Sequence, residues 1–285
     1  MTHGLHLAGR CLSILAAGLC LAMPLQAAAQ APAPPAPGAP GAPAAPGAPS
    51  IPGATGKTFL ENFDRIDPSI WYVSDGWNNG SHQNCNWSKK QVHVEDGMLQ
   101  LGFAEGKAKD RNFLCGEIQT KARFGYGTYE VRMKAATGLG LNSAFFTYIG
   151  PTDKKPWDEI DMEVLGKNTA QVQLNQYING KGGNEKLTPI AGGADKEFND
   201  YAFIWEANRL RYFVNGNLVQ EVTDASKIPT NAQKIFLSLW GTDTLKQWMG
   251  AFAYSGPSTM TIDRIAYTAL GEDCHFPESV LCKID

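Results

Sequence analysis

Three acidic residues, Glu159, Asp161 and Glu163, alternate with Ile160, Met162 and Val164 in the segment WDEIDMEVLG at residues 157–166. Successive side chains of a β-strand point to opposite faces. A strand here therefore sets the three carboxylates and Trp157 on one side and the apolar residues on the other. Glu159 and Glu163 stand four steps apart, about 13 Å between Cα atoms. Leaning together over the shorter Asp161, they can close to the roughly 5 to 5.5 Å between carboxyl groups at which one serves as nucleophile and the other as acid/base in retaining glycosidic cleavage. A solvated strand face and a calcium loop are the competing readings. Three like charges side by side repel with nothing gained, which counts against the first. β-branched and long apolar residues fill the positions where a calcium loop needs Gly and Asn, which counts against the second.

The elements that must hold this strand are legible as short alternating segments from Thr58 onward, at Gly127–Lys134, Gln171–Tyr177, 201–205 and 234–240, broken by Gly, Asn and Pro. Little of the chain shows a 3.6-residue period, so the pattern predicts an all-β domain built as a β-sandwich. Residues 211–214 and 217–222 flank Asn215-Gly216, the pair that a type I′ hairpin turn requires. In QVQLNQY, Val172 and Leu174 oppose Gln173, Asn175 and Tyr177; in KIFLSLW, Ile235, Leu237 and Leu239 oppose Phe236, Ser238 and Trp240. A sheet face of Trp, Tyr, Asn and Gln suits a sugar chain, because rings pack on the apolar faces of pyranoses while amides bridge their hydroxyls. For a single ring such as Tyr177 or Trp240, filling the core is the plainer reading. Their coincidence with the acidic strand favours a binding surface.

Outside this region, residues 1–29 carry Arg10, an apolar run from Cys11 to Leu25, and small residues Ala27 and Ala29, which together predict a secretory signal peptide and hence export. A lipoprotein anchor at Cys20 is the alternative, and bulky Leu19 is poor for its processing. Residues 30–57 are almost entirely Ala, Pro and Gly, a composition that cannot bury a core and predicts a disordered, semi-rigid linker. A catalytic domain is expected over 58–270 and a cysteine-containing tail over 271–285. Once the leader is gone, Cys85, Cys115, Cys274 and Cys282 remain, an even number in an exported chain. Disulfides Cys85 to Cys115 and Cys274 to Cys282 are expected, with free thiols the alternative. No CxxC or HExxH is present, which argues against zinc. The 285-residue chain has a formal charge of −3 and no basic run, so nucleic acid and anionic membrane surfaces are poor partners and a neutral polymer fits better. No membrane span is expected, and a monomer is.

At WDEIDMEVLG the chain resembles glycoside hydrolase family 16, with the E-x-D-x-E strand of bacterial lichenases. GYGTYEVRMK, SAFFTYIGP, VQLNQYINGKGGNEK, DYAFIWE and LSLWGTD extend the resemblance, and NCNWSKKQV and the cysteine tail place it nearest the rhizobial endoglycanases that trim succinoglycan. The resemblance implies a concanavalin A-like jelly roll with an open cleft on its concave sheet. It implies Glu159 as nucleophile, Glu163 as acid/base and Asp161 as the residue that orients the nucleophile. Trp157, Asn79, Glu117, Tyr148, Asn175, Tyr177 and Trp240 match sugar-contacting positions, and Cys85 with Cys115 matches a disulfide. No cofactor is expected for catalysis. A structural calcium is implied on the convex side, at Asp263 with backbone carbonyls near Asn62 and Gly97; an Asp simply exposed at a strand end is the alternative. Gln83, Gln119 and Ser238 stand where lichenases place Phe, Arg and Asn in the cleft, which alters subsite contacts. The expectation is a secreted retaining endo-β-1,3-1,4-glycanase acting on β-glucan or a succinoglycan-like exopolysaccharide. A strict lichenase, a non-catalytic glucan-binding sandwich and a transglycosylase are the alternatives.

Overall fold

A computed structural model describes residues 49–284; the expected signal peptide and most of the expected linker lie outside the described residues. In chain order the strands are β1 (Phe59–Glu61), β2 (Trp71–Val73), β3 (Cys85–Trp87), β4 (Val92–Glu95), β5 (Met98–Ala108), β6 (Arg111–Thr120), β7 (Gly127–Lys134) and β8 (Leu141–Ile149). They continue as β9 (Asp158–Leu165), β10 (Gln171–Tyr177), β11 (Lys186–Pro189), β12 (Asn199–Trp205), β13 (Leu210–Val214), β14 (Asn217–Val222), β15 (Lys234–Gly241) and β16 (Ser258–Ala269), with one short helix, α1 (Lys246–Met249).

One sheet runs β11-β10-β9-β8-β15-β6-β2, antiparallel throughout. The second runs β14-β13-β12-β7-β16-β5, with β1 along β16 and β4 along β5. Strand β6 joins the two: its Phe113 and Cys115 pair with β5, whereas Gly116 to Gln119 pair with β15. The result is the predicted jelly-roll sandwich. The expected strands at Gly127–Lys134 and Gln171–Tyr177 coincide with β7 and β10, and Asn215 and Gly216 take φ values of 50° and 77° in the β13–β14 turn.

The core lies where the two apolar faces meet. Ile160, Met162, Val164, Val172, Leu174, Ile235, Leu237 and Leu239 are buried beneath the first sheet, against Leu101, Tyr129, Val131, Phe203, Tyr212 and Met260 of the second. Phe145 stacks on Phe203 at 5.6 Å across the layers, and the Tyr212 hydroxyl donates to the Asn175 carbonyl at 2.7 Å. Each such large side chain stabilises the fold by about 1.5–3 kcal/mol through apolar burial. This packing fixes the register, because a one-residue slip of β9 would carry its carboxylates into the core.

Both expected disulfides form, Cys85–Cys115 and Cys274–Cys282. Packing begins earlier than composition predicts, however. Ile51, inside the expected linker, is 4% exposed, and the amides of Thr55 and Gly56 both donate to the Arg123 carbonyl at 2.8 Å. An isoleucine in an Ala/Pro/Gly stretch has apolar area to bury, so the chain docks from Ile51 rather than from Thr58.

Candidate active site

Antiparallel pairing places residues in cross-strand rows on the outer face of the first sheet. At one level stand Lys234, Tyr148, Glu159 and Tyr177. The next row holds Tyr72, Gln119, Phe236, Phe146, Asp161 and Asn175. The third holds Glu117, Ser238, Ala144, Glu163 and Gln173. The three carboxylates thus climb the middle of the sheet, one per row, on a floor of aromatic and amide side chains.

Their partners differ. The Trp157 indole donates to Glu159 Oε2 at 2.5 Å, and the Asp161 carboxyl shares a hydrogen bond with Glu159. Glu163 Oε1 accepts from Asn142 Nδ2 at 2.6 Å. Burial is the first cause that raises all three carboxyls above the ordinary carboxylate range; the mutual repulsion of the trio and nearby Glu185 add to it. Three charges cannot be carried together on this buried row, so it holds protons near neutrality. Trp157 and Asp161 hydrogen-bond Glu159, whereas Asn142 hydrogen-bonds Glu163.

Of the predicted contact residues, Trp157 and Tyr177 stack at 4.6 Å with planes 11° apart, and Tyr148 lies 6.5 Å from Trp157. These rings wall one end of the acidic strand. A Cβ on Gly182 would sit 2.6 Å from the Tyr177 ring, so only glycine lets the following loop pass there. Trp240 walls the other end beside His82 at 5.8 Å and Trp248 at 6.1 Å. Asn175 and Glu117 lie on the floor, 2% exposed each; Ser74 Oγ donates to Glu117 at 2.6 Å, and burial pushes the Glu117 carboxyl up to about 8. Asn79 is a rim residue whose amide donates to Gln83 Oε1 at 3.0 Å.

One expected cleft residue is elsewhere. Gln83 is fully buried, with its amide nitrogen 3.4 Å from Cys115 Sγ, so it packs on the disulfide and cannot touch a sugar. Gln119 and Ser238 do face the cleft, and Lys234 Nζ donates to Gln119 Oε1 at 3.0 Å. Sequence reasoning passed over Asn142, Phe146 and Trp248. Phe146 stacks on Phe236 at 4.9 Å, and the Trp248 indole donates to Gln173 Oε1 at 3.0 Å. Strand parity in LNSAFFTYI could have found the first two; nothing local marks a tryptophan in a four-residue helix. Asp158, beside the trio in sequence, is on the opposite face and ties the Asn179 and Thr230 amides and the Asn231 side chain to β9.

On the convex side, the register Glu61↔Ile265 and Leu99↔Ile262 brings Asn62 and Gly97 toward Asp263, which sits at a β-bulge of β16. Asp263 Oδ2 is taken by Arg264 at 3.1 Å and Arg132 at 3.4 Å. With Oδ2 held by two guanidiniums, Asp263 has only its Oδ1 left to offer a cation.

The sequence profile described as Glycosyl hydrolases family 16 matches residues 79–264. The chain is 66% identical to Endo-1,3-1,4-beta-glycanase ExoK of Rhizobium meliloti (strain 1021), over 80% of this chain and 85% of that protein. It is 38% identical to Beta-glucanase of Bacillus subtilis (strain 168), over 74% and 86% respectively. Among solved structures it matches a Bacillus licheniformis beta-glucanase at TM-score 0.71 and 37% identity, covering 75% of this chain and 99% of that one.

Proposed function

This chain belongs to glycosyl hydrolases family 16, and from that premise we propose that it is an exported, retaining endo-β-1,3-1,4-glycanase that cuts within β-glucan or a succinoglycan-like bacterial exopolysaccharide. The observation that carries this reading is the Glu159, Asp161, Glu163 row on an open sheet face between two aromatic walls. Glu159, ionised and held by Trp157 and Asp161, attacks the anomeric carbon while Glu163 gives its proton to the departing glycosidic oxygen. The sugar is then joined to Glu159 through an ester. Glu163, now a carboxylate, takes a proton from water, the water oxygen bonds the anomeric carbon, and Glu159 leaves as a carboxylate. Trp157, Tyr148, Tyr177 and Trp240 hold the pyranose faces, and Glu117, Asn175 and rim residue Asn79 meet hydroxyls.

The same proposal holds a structural calcium at Asp263 with the carbonyls of Asn62 and Gly97, and takes the protein as a monomer. Chelation with EGTA should lower the melting temperature, and an unchanged value would remove calcium from the account. No described helix is long and apolar enough to cross a membrane. Two disulfides suit an oxidising compartment, which supports export.

The test is reducing-end release on barley β-glucan, laminarin, carboxymethylcellulose and succinoglycan, with Glu159→Gln as the blank. Cleavage of succinoglycan and barley glucan that vanishes in the blank supports the proposal. Barley glucan alone would make it a strict lichenase, and binding without cleavage on all four would leave only a lectin-like sandwich.

A further inference from the structure

Among the described residues Glu163 hydrogen-bonds one donor side chain, Asn142, and that side chain has no other bond. Asn142 of β8 stands diagonally across from it, since Ala144 pairs with Glu163 and Asn142 with Leu165. The side chain is fully buried, its Nδ2 donates to Glu163 Oε1 at 2.6 Å, and its Oδ1 has no partner among the described residues. A buried acceptor left unpaired is costly. Asn142 is therefore held in place by its bond to Glu163 and not by a network of its own.

Resting on the acid/base assignment of Glu163, we infer that Asn142 is a positioning residue for the proton transfer: it occupies Oε1 as a donor, confines the proton of Glu163 to Oε2, and stabilises the carboxylate left when that proton passes to the glycosidic oxygen. The first part follows from valence, because an O–H on Oε1 would point at an N–H. The second follows because a hydrogen bond to a carboxylate is stronger than one to a neutral carboxyl. The charges around Glu163 make such a donor useful. Glu159 and Asp161 share its strand, Glu185 approaches from the loop before β11, Glu117 lies on β6, and Tyr177 on β10. Lys234, on β15 in the row of Glu159, donates to Gln119. Burial and the carboxylates hold the proton on Glu163, and Asn142 pulls the other way. The group can then both give and retake a proton within one turnover.

Asn142→Leu keeps much of the volume and removes the donor, and Asn142→Ser serves if the leucine fails to fold. Each is compared with wild type in kcat/KM against pH, on β-glucan and on an aryl β-glycoside with a dinitrophenolate leaving group. On glucan, kcat/KM should fall about tenfold, the loss of one hydrogen bond to a charged group. The alkaline limb should move up by about one pH unit, because the acid is harder to ionise. On the aryl substrate, whose leaving group needs no proton, the loss in kcat/KM should largely disappear. An unmoved limb in a folded variant, or an equal loss on both substrates, would overturn the inference in favour of simple packing. Full activity in Glu163→Gln would instead sink the acid/base assignment, and the inference with it.

Discussion

Two glutamates on opposite faces of the sandwich, Glu130 and Glu163, are both raised in pKa by burial, yet their surroundings are opposite. Glu130 lies under the C-terminal tail, where Ser279 Oγ and the Val280 amide donate at 2.7 Å each, one to each carboxyl oxygen. The Cys274–Cys282 disulfide closes that tail, and Val280 covers Ala202, Ile204 and Phe213. Glu163 has one oxygen paired and one facing the cleft. A buried carboxyl whose valences are filled by its own chain is an anchor, whereas one with a valence left open toward a cleft can exchange a proton. Burial alone does not tell them apart.

The contrast is tested most directly by the same substitution at both places. Glu163→Gln should lower kcat on β-glucan by about 10²- to 10⁴-fold, the range for a lost general acid/base. Glu130→Gln should leave kcat within about twofold on the same principle, since it touches no substrate. Equal activity losses would void the contrast. Next in size are the disulfides. Cys85→Ser with Cys115→Ser should cost roughly 2 to 5 kcal/mol in denaturant unfolding, and the shorter Cys274 to Cys282 loop should cost less. A reversed order would mean that the tail carries more of the fold than its contacts indicate.

Glu130→Ala should then cost about 1 to 3 kcal/mol, because the Val280 amide and the Ser279 hydroxyl lose their acceptor. Faster tail proteolysis at unchanged kcat is the accompanying readout. A last effect shows only as pH is varied and concerns Glu117, whose carboxyl is pushed up to about 8 by burial against an unfolded value of 4.5. The folded state holds that proton more tightly, so the stabilisation is whole below the unfolded value and is lost as pH rises through the folded one. The melting temperature of wild type should therefore fall relative to Glu117→Gln between about pH 5 and pH 9. Parallel curves would show that Glu117 is not held as a neutral acid.

Much of the fold and of the site is legible in the order of the amino acids. The alternation of Glu159, Ile160, Asp161, Met162 and Glu163 implies a strand with one chemical and one apolar face, and both faces are where period two puts them. Asn215-Gly216 implies its hairpin because few residues tolerate positive φ at two successive positions. Gln83 misleads, because the segment around it does not say that its amide turns inward onto the sulfurs of Cys85 and Cys115. Ile51 is lost in a composition that reads as linker, although a single apolar side chain suffices to dock it.

Local pattern, then, determined the strands and the face each carboxylate takes, because side-chain alternation and turn chemistry act over a few residues. Tertiary structure alone decided which strands became neighbours, and with that the donors on each carboxyl. Asn142 reaches Glu163 across 21 positions of sequence and Ser279 reaches Glu130 across 149. Hydrogen bonds and desolvation depend on what lies within a few ångströms in space, and only packing of the two sheets and the tail brings those groups there.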